Sequence, residues 1–416
     1  MINNTKTPAI YVLIRIYKLQ TNNDDNEPYY SLLEKAICSV EENAVAYNGS
    51  VKIVANEDTP KDDVLYPEHK RRVLDILERH HFSIGKSNLF FSETDGKGSS
   101  YATLIVRESF LLWSEANDDY DSIAVTLDQD DELKDNALAN IAYEMLKTKA
   151  NICISAYETE DYSNLSIIKD NGKNHNEAAR RLYLKPQTIT KEGDSAILTH
   201  IDTLGWTKSW SRQTMMQYLN CLKTFMSRFR GSAEAFFSKH KAYEDFIDTF
   251  ILLNKYVKLC GVPSPTHKYK KHPFAITSTP TISAFRDDRT ACLIALNDLT
   301  HYYADHLSNS YEILLRHFFS FKIKVIEGIL ADYRSKYSNN GDIRYQEFAK
   351  MTDPGYFIKK LCIQANATKT NSKPDIENDD YSHSFHNLAS LYLCNSLESH
   401  SELVIKIGNY LTTDNS

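Results

Sequence analysis

Ser122-Ile123-Ala124-Val125-Thr126-Leu127-Asp128-Gln129-Asp130-Asp131 is the stretch on which the fold turns. Its first half is short, apolar and β-branched at 123, 125 and 126, the composition of a buried strand, and three carboxylates follow at once. Outward from it, strand and helix signals alternate. Upstream lie a helical stretch from Ser99 to Ser114, the short strand Asn88-Leu89-Phe90-Phe91 and a helix from His69 to His80. Before these come the strand Val51-Lys52-Ile53-Val54-Ala55, a helix with apolar residues at 32, 33, 36, 37 and 40, and the opening run Ala9 to Ile14. Downstream, Asn136 to Lys147 is helical and Ala150 to Ala156 is the next strand. Repetition at this spacing predicts an α/β domain with right-handed crossovers and a mostly parallel sheet bearing helices on both faces.

Residues 157–195 are polar and read as excursion loops or a hairpin. Thr214 to Val257 has helical spacing, which Val262-Pro263-Ser264-Pro265 is expected to end. Beyond Arg286 helical stretches dominate. Tyr311 to Ile326 is amphipathic, fit to pack on a domain or partner copy, or to lie on a membrane surface beside Lys322 and Lys324. Asn366 to Tyr381 reads as an exposed loop. The expected division is residues 1–285 and a helical C-terminal domain or extension, 286–416.

Composition narrows the class. The 416 residues carry a net charge of −7, with 42 % hydrophobic and 25 % charged residues, ordinary for a globular chain. No apolar run approaches the roughly 18 residues of a membrane span, and Met1 to Lys6 lacks the apolar stretch of a signal peptide. Seven cysteines without a C-x-x-C pair argue against a disulfide framework and a structural zinc site. An acidic chain with no long basic block is a poor match for nucleic acid. The expectation is a cytoplasmic protein with no nucleic-acid partner and no transmembrane segment.

The acidic turn carries the chemistry. Open α/β sheets place ligands at the carboxyl ends of their strands. Asp128 and Asp130, two residues apart, can both face one cation. Oxygen ligands suit Mg²⁺ or Mn²⁺, ions that also take phosphate oxygens. Three acids with no adjacent Lys or Arg are expensive to crowd together without a cation. A solvated turn opening a helix, where Asp is favoured, is the alternative.

The order of these segments resembles the family-2 glycosyltransferases with a GT-A (Rossmann-like) fold. Arg15-Ile16-Tyr17, with the following helix Leu33 to Val40, resembles the family's first βα unit, although many members have proline where Arg15 stands. Asn56-Glu57-Asp58-Thr59 stands at the acidic turn that holds the nucleobase, and Leu127 to Leu133 resembles the metal-binding DxD segment. Gly205-Trp206-Thr207-Lys208 resembles a segment of acceptor or donor contacts. Tyr243-Glu244-Asp245-Phe246 resembles the acidic pair that includes the catalytic base, and Tyr269-Lys270-Lys271-His272-Pro273 the closing basic segment. The resemblance covers roughly residues 8–285.

It implies a glycosyltransferase moving a sugar from a UDP- or GDP-sugar to a glycan or lipid-linked acceptor. Such an enzyme would be inverting, dependent on Mg²⁺ or Mn²⁺, and engaged in surface polysaccharide biosynthesis. Glu57 or Asp58 would accept from a uracil or guanine N–H, or serve as a turn residue. Arg15 would reach a phosphate or pair with the acidic turn. Donor contacts would also come from Asp128, Gln129, Trp206 and Lys271. The metal would be held by Asp128, Asp130 and His272. Asp245 would take the acceptor's proton while Glu244 positions the acceptor, or the two acids would open a helix. Trp206 and Trp210 would stack on a sugar or pack in the core. Homo-oligomers, and peripheral contact with the inner face of the membrane through the C-terminal helices, fit this class. An inactive GT-A domain serving as a binding or scaffold subunit is the alternative. A nucleotidyltransferase is disfavoured by the lack of an N-terminal glycine-rich phosphate cradle.

Overall fold

In the parallel strand β1 (Ile10–Ile16), side chains alternate between two buried faces, and that alternation organises the molecule. The computed structural model describes residues 7–17, 27–84, 86–161, 168–169, 177–188, 205–230 and 257–271. After β1 come α1 (Glu27–Ala46), β2 (Val51–Glu57), α2 (Tyr66–Arg79), β3 (Leu89–Glu93), α3 (Ser99–Ala116), β4 (Ile123–Asp128), β5 (Glu132–Leu133), α4 (Ala137–Thr148) and β6 (Ile152–Asp161). They are followed by β7 (Ile168–Lys169), α5 (Glu177–Leu184), β8 (Gln187–Thr188), a 3₁₀ turn at Gly205–Thr207, β9 (Lys208–Ser211), α6 (Arg212–Arg230) and β10 (Lys258–Lys271).

The strands form one sheet in the order β3-β2-β1-β4-β9-β6-β10-β5, with β7 beside β6 and β8 beside β10. The pairs β1–β2, β1–β4, β2–β3 and β6–β10 are parallel, while β9 runs antiparallel to both β4 and β6. Ile10, Val12, Ile14 and Ile16 join a core cluster with Leu33, Ile37 and Val40 of α1, Val73 and Leu77 of α2, and Leu138 and Ile141 of α4. The odd residues face α3. The Tyr11 ring packs edge-on against Phe110 and Trp113 of that helix, and Arg15 hydrogen-bonds Ser99 and Thr103. Helices therefore cover both faces, as the alternation of segments implied.

One expectation needs correction. Val262 to Pro265 does not end a helical stretch. It lies inside β10, a strand paired along most of its length with β6. Proline lacks a ladder N–H and survives in a sheet where the ladder is already broken. Here the register shifts between Val262 and Pro265 and again between Pro265 and His267. Residues 157–195, read as excursion loops or a hairpin, do hold a hairpin, in which β7 pairs antiparallel with the end of β6, and α5 follows it. Helix α5 lies so close to β10 that a Cβ on Gly261 would sit 2.0 Å from the carbonyl oxygen of Ala179, which explains a glycine in mid-strand.

By proximity of Cα atoms the chain divides into two units, Met1–Met226 with Ser232–Thr279, and Ser227–Gly231 with Pro280–Ser416. Nearly every described residue falls in the first. The 286–416 extension, its Tyr311–Ile326 helix and the Asn366–Tyr381 loop lie outside the described residues. Among the described residues no helix is long and apolar enough to cross a membrane, and Cys38, Cys153 and Cys260 are free thiols.

Candidate functional site

Strand order reverses direction between β1 and β4, and a doubly wound sheet opens its ligand crevice at the carboxyl ends of the strands flanking such a point. Register brings Arg15 level with Asp128 on one side and Asn56 on the other, with Ile16 level with Glu57. Arg15 Nη2 lies 2.5 Å from Asp128 Oδ1, while Nη1 donates to Ser99 Oγ at 2.9 Å and Thr103 Oγ1 at 2.8 Å. The sequence left open whether Arg15 meets a carboxylate or a phosphate; in this structure it holds the acidic turn.

The turn itself is closed by the Asp131 N–H donating to the Asp128 carbonyl. Gln129 spans the gap to β1: its Oε1 accepts from the Tyr17 N–H at 2.6 Å and the Tyr29 hydroxyl at 3.0 Å, and its Nε2 donates to the Tyr17 carbonyl. This side chain extends the sheet by one mock residue and ties the turn down. Asp131 is buried, and its Oδ1 accepts from the Lys270 N–H at 2.9 Å. Burial, then the charges of Asp130 and Asp128, hold its carboxyl well above the usual carboxylate range. The expectation of three acids without a basic neighbour is corrected, since Arg15 and Lys270 arrive from distant strands. Lys270 is buried and pairs with Glu132, which also takes Lys268 at 3.1 Å.

At the end of β2 the two candidate base-binding acids have different surroundings. Glu57 is buried; its Oε1 accepts from the Thr59 N–H at 2.8 Å and lies 3.3 Å from His69 Nε2, while His69 Nδ1 is 2.8 Å from the Tyr30 hydroxyl. Asp58 holds the glycine loop that leads into α3. Its Oδ1 accepts from the Thr94 hydroxyl at 2.6 Å and the Lys97 N–H at 2.9 Å, and its Oδ2 from the Gly98 N–H at 2.6 Å. Gly98, with φ 102° and ψ 163°, adopts a backbone that only glycine takes readily. Asp58 is thus a loop organiser at the N-terminus of an 18-residue helix, a place where a carboxylate is favoured.

Trp206 does not present a free face. It is buried, stacked on Tyr269 at 5.4 Å, edge-on to Tyr157 at 4.8 Å, and 5.5 Å from the His267 ring. Trp210 is likewise core, against Tyr218. Of Lys271 only the backbone is described. Glu244, Asp245 and His272 lie outside the described residues.

His267 beneath Trp206 gives the site region a pH dependence. Its Nε2 donates to the Thr126 carbonyl at 3.2 Å, and its Nδ1 lies 2.8 Å from the Thr266 hydroxyl. Burial pushes the imidazole down to about 4, against 6.5 in the unfolded chain, with the Thr126 hydrogen bond opposing. As pH falls from 6.5 toward 4 the unfolded chain takes up a proton that the folded protein refuses, so stability is lost across that window. The full loss is about 3 kcal/mol. Urea unfolding measured against pH should show that slope, and His267→Gln should remove about one proton's worth of it.

The residues to which the sequence assigned no role of their own are Asn56, Thr94, Ser99, Thr103 and Lys270. Ser99 and Thr103 carried a legible signal: hydroxyls four apart share a helix face, and the odd-numbered parity of β1 points Arg15 toward that helix. Lys270 stood in the basic segment Tyr269 to Pro273, but its pairing with the acidic turn was hidden because the strand that delivers it looked like a breaker.

Fold and site together define a doubly wound α/β protein with a polar cluster at the carboxyl ends of β1 and β4, built from a fixed guanidinium, partly exposed carboxylates and the start of a helix. No family model matches the chain, and no curated protein does. Among solved structures it is similar to S. aureus TarS, with 11 % identity and a TM-score of 0.45 over 86 % of this chain and 49 % of that one, so the chain spans about half of that protein's length. It is also similar to S. aureus TarS 1–349 in complex with UDP-GlcNAc, with 13 % identity, a TM-score of 0.49 and 91 % of each chain covered. Against the UDP complex of the same fragment, identity is 11 % and the TM-score 0.44, over 94 % of this chain and 93 % of that one.

Proposed function

We propose that this chain is a nucleotide-sugar-dependent glycosyltransferase of the GT-A type. It transfers a sugar from a UDP- or GDP-sugar to a saccharide or lipid-linked acceptor, with inversion, in the making of a surface polysaccharide. The observation that carries the reading is the meeting of Arg15, Asp128 and the Asp58-held loop at one switch point. That cluster combines a permanent cation, the start of a helix and two partly exposed carboxylates, the surroundings a diphosphate needs. Arg15 and the first turn of α3 receive its negative charge, and the Gly98 loop brings backbone close to it.

Among the described residues no group of three or more His, Cys, Asp or Glu side chains is placed to cage a metal ion. Mg²⁺ or Mn²⁺ bound with a nucleotide needs no cage, since one or two carboxylates suffice alongside phosphate oxygens and water. Asp128 and Asp130, both half-buried and both acting electrostatically on Asp131, fit that donor set. Bound there, the ion would neutralise the departing diphosphate. In this reading Asp245 removes the acceptor's proton and Glu244 places the acceptor.

Thermal unfolding across a panel of UDP-, GDP-, CMP- and TDP-sugars, with and without Mn²⁺, tests the proposal. One nucleotide class at a hundred times its Kd should add about 2.7 kcal/mol. If no member of the panel shifts the transition, the reading falls. Stabilisation without hydrolysis or transfer would assign the site to the alternative, a binding or scaffold subunit.

A further inference from the structure

A guanidinium that never loses its proton sits on the first carboxylate of the acidic turn. It comes from β1, contacts Asp128 at the end of β4, and is anchored through Nη1 by the hydroxyls of Ser99 and Thr103 in the first two turns of α3. Its side chain is 18 % exposed and that of Asp128 26 %, so the pair is reachable by small ions. A divalent ion approaching Asp128 meets a positive charge already seated on one of its oxygens and unable to swing aside without leaving Ser99 and Thr103. Asp131 offers no substitute, being buried with one oxygen occupied by the Lys270 N–H.

We propose that Arg15 is a resident competitor for the divalent cation on Asp128, keeping the affinity for bare metal low and making metal uptake depend on the arrival of a nucleoside diphosphate. The diphosphate supplies oxygen ligands to the metal and an alternative partner to the guanidinium, so the two ligands bind with positive coupling. The inference rests on the donor-site reading above and deepens it. Arg15 acts on the metal through Asp128 and is in that respect a positioning residue.

The experiment titrates Mn²⁺ into the full chain and into Arg15→Met, following free Mn²⁺ by electron paramagnetic resonance, with and without UDP or GDP. The unaltered protein should bind Mn²⁺ at least tenfold more tightly with the matching nucleotide than without it. Arg15→Met alone should bind Mn²⁺ at least tenfold more tightly than the unaltered protein, a gain that mere structural damage does not produce. The double variant Ser99→Ala/Thr103→Ala keeps the charge but frees it, and should bind bare Mn²⁺ with intermediate affinity; it decides the matter if Arg15→Met fails to fold. Unchanged or weaker Mn²⁺ binding in the folded variant overturns the proposal. If UDP or GDP still binds in that case, the inference fails alone; if neither binds any form of the protein, the donor-site reading fails with it.

Discussion

Asp119→Ala should lower the unfolding free energy by about 4 kcal/mol, because it strands a buried ammonium. Lys52 Nζ lies 2.7 Å from Asp119 Oδ2 and 3.2 Å from the Tyr11 hydroxyl, which itself donates to the same carboxylate oxygen at 2.7 Å. The Lys52 and Asp119 side chains are only 7 % and 10 % exposed, and the ammonium also lies over the Tyr11 and Trp113 rings. Burial, reinforced by Asp119, keeps the Tyr11 phenol protonated far above its ordinary range. Replacing both charged partners by apolar residues, as in Lys52→Met/Asp119→Leu, should recover most of the loss, since a buried pair contributes little beyond its own desolvation. Urea unfolding of the two variants measures the difference, and a single-variant cost below about 1 kcal/mol would contradict the account. This cluster lies at the amino-terminal ends of β1 and β2 and just before β4, the edge opposite the site. Nucleotide affinity of the folded Asp119→Ala fraction should therefore be unchanged.

Asp58→Asn tests the site in the same terms. The carboxylate takes two backbone N–H groups and a hydroxyl while being 2 % exposed. Asparagine has nearly the same shape, but its NH₂ must face either the Lys97 N–H or the Gly98 N–H, a donor against a donor, while the Thr94 hydroxyl can still donate to Asn56 Oδ1 at 2.8 Å. The expected loss is about 4 kcal/mol, two or three buried groups at 1–3 kcal/mol each. Asp58→Ala should be equally damaging, and nucleotide binding should weaken together with stability, because the loop that opens α3 is no longer held. If Asp58→Asn unfolds like the unaltered protein while nucleotide binding is lost, the carboxylate contacts the base directly and the loop-organiser account is wrong.

The parallel half of the sheet was legible because each of its strands is a short apolar run bounded by amphipathic helices, so pattern and burial agree. The acidic turn was legible for the same reason: carboxylates directly after the apolar β4 run Ile123 to Leu127 can only lie at the sheet's edge. β10 was not legible. Its prolines carry a local instruction to stop, overridden by pairing with β6 and by two register shifts that no local rule anticipates. The partners of the acids were hidden because Arg15 and Lys270 lie more than a hundred residues from them along the chain. Trp206 was ambiguous for a different reason, as an aromatic ring packs in a core as readily as it stacks on a sugar.

The late arrival of β9 and β10 has a consequence for how the molecule is made. β9 lies between β4 and β6, and β10 covers the other side of β6, yet both are encoded after residue 207. A chain emerging from the ribosome therefore holds β4 with an unpaired ladder edge until β9 is made, 80 residues beyond Asp128 (208 − 128), and β6 without its β10 partner for 97 residues beyond Asp161 (258 − 161). Such edges are templates for pairing with the wrong chain. Early and reversible assembly of the β1–β4 half, followed by a slow, non-local closure, makes this a protein whose yield depends on what shields β6 during synthesis.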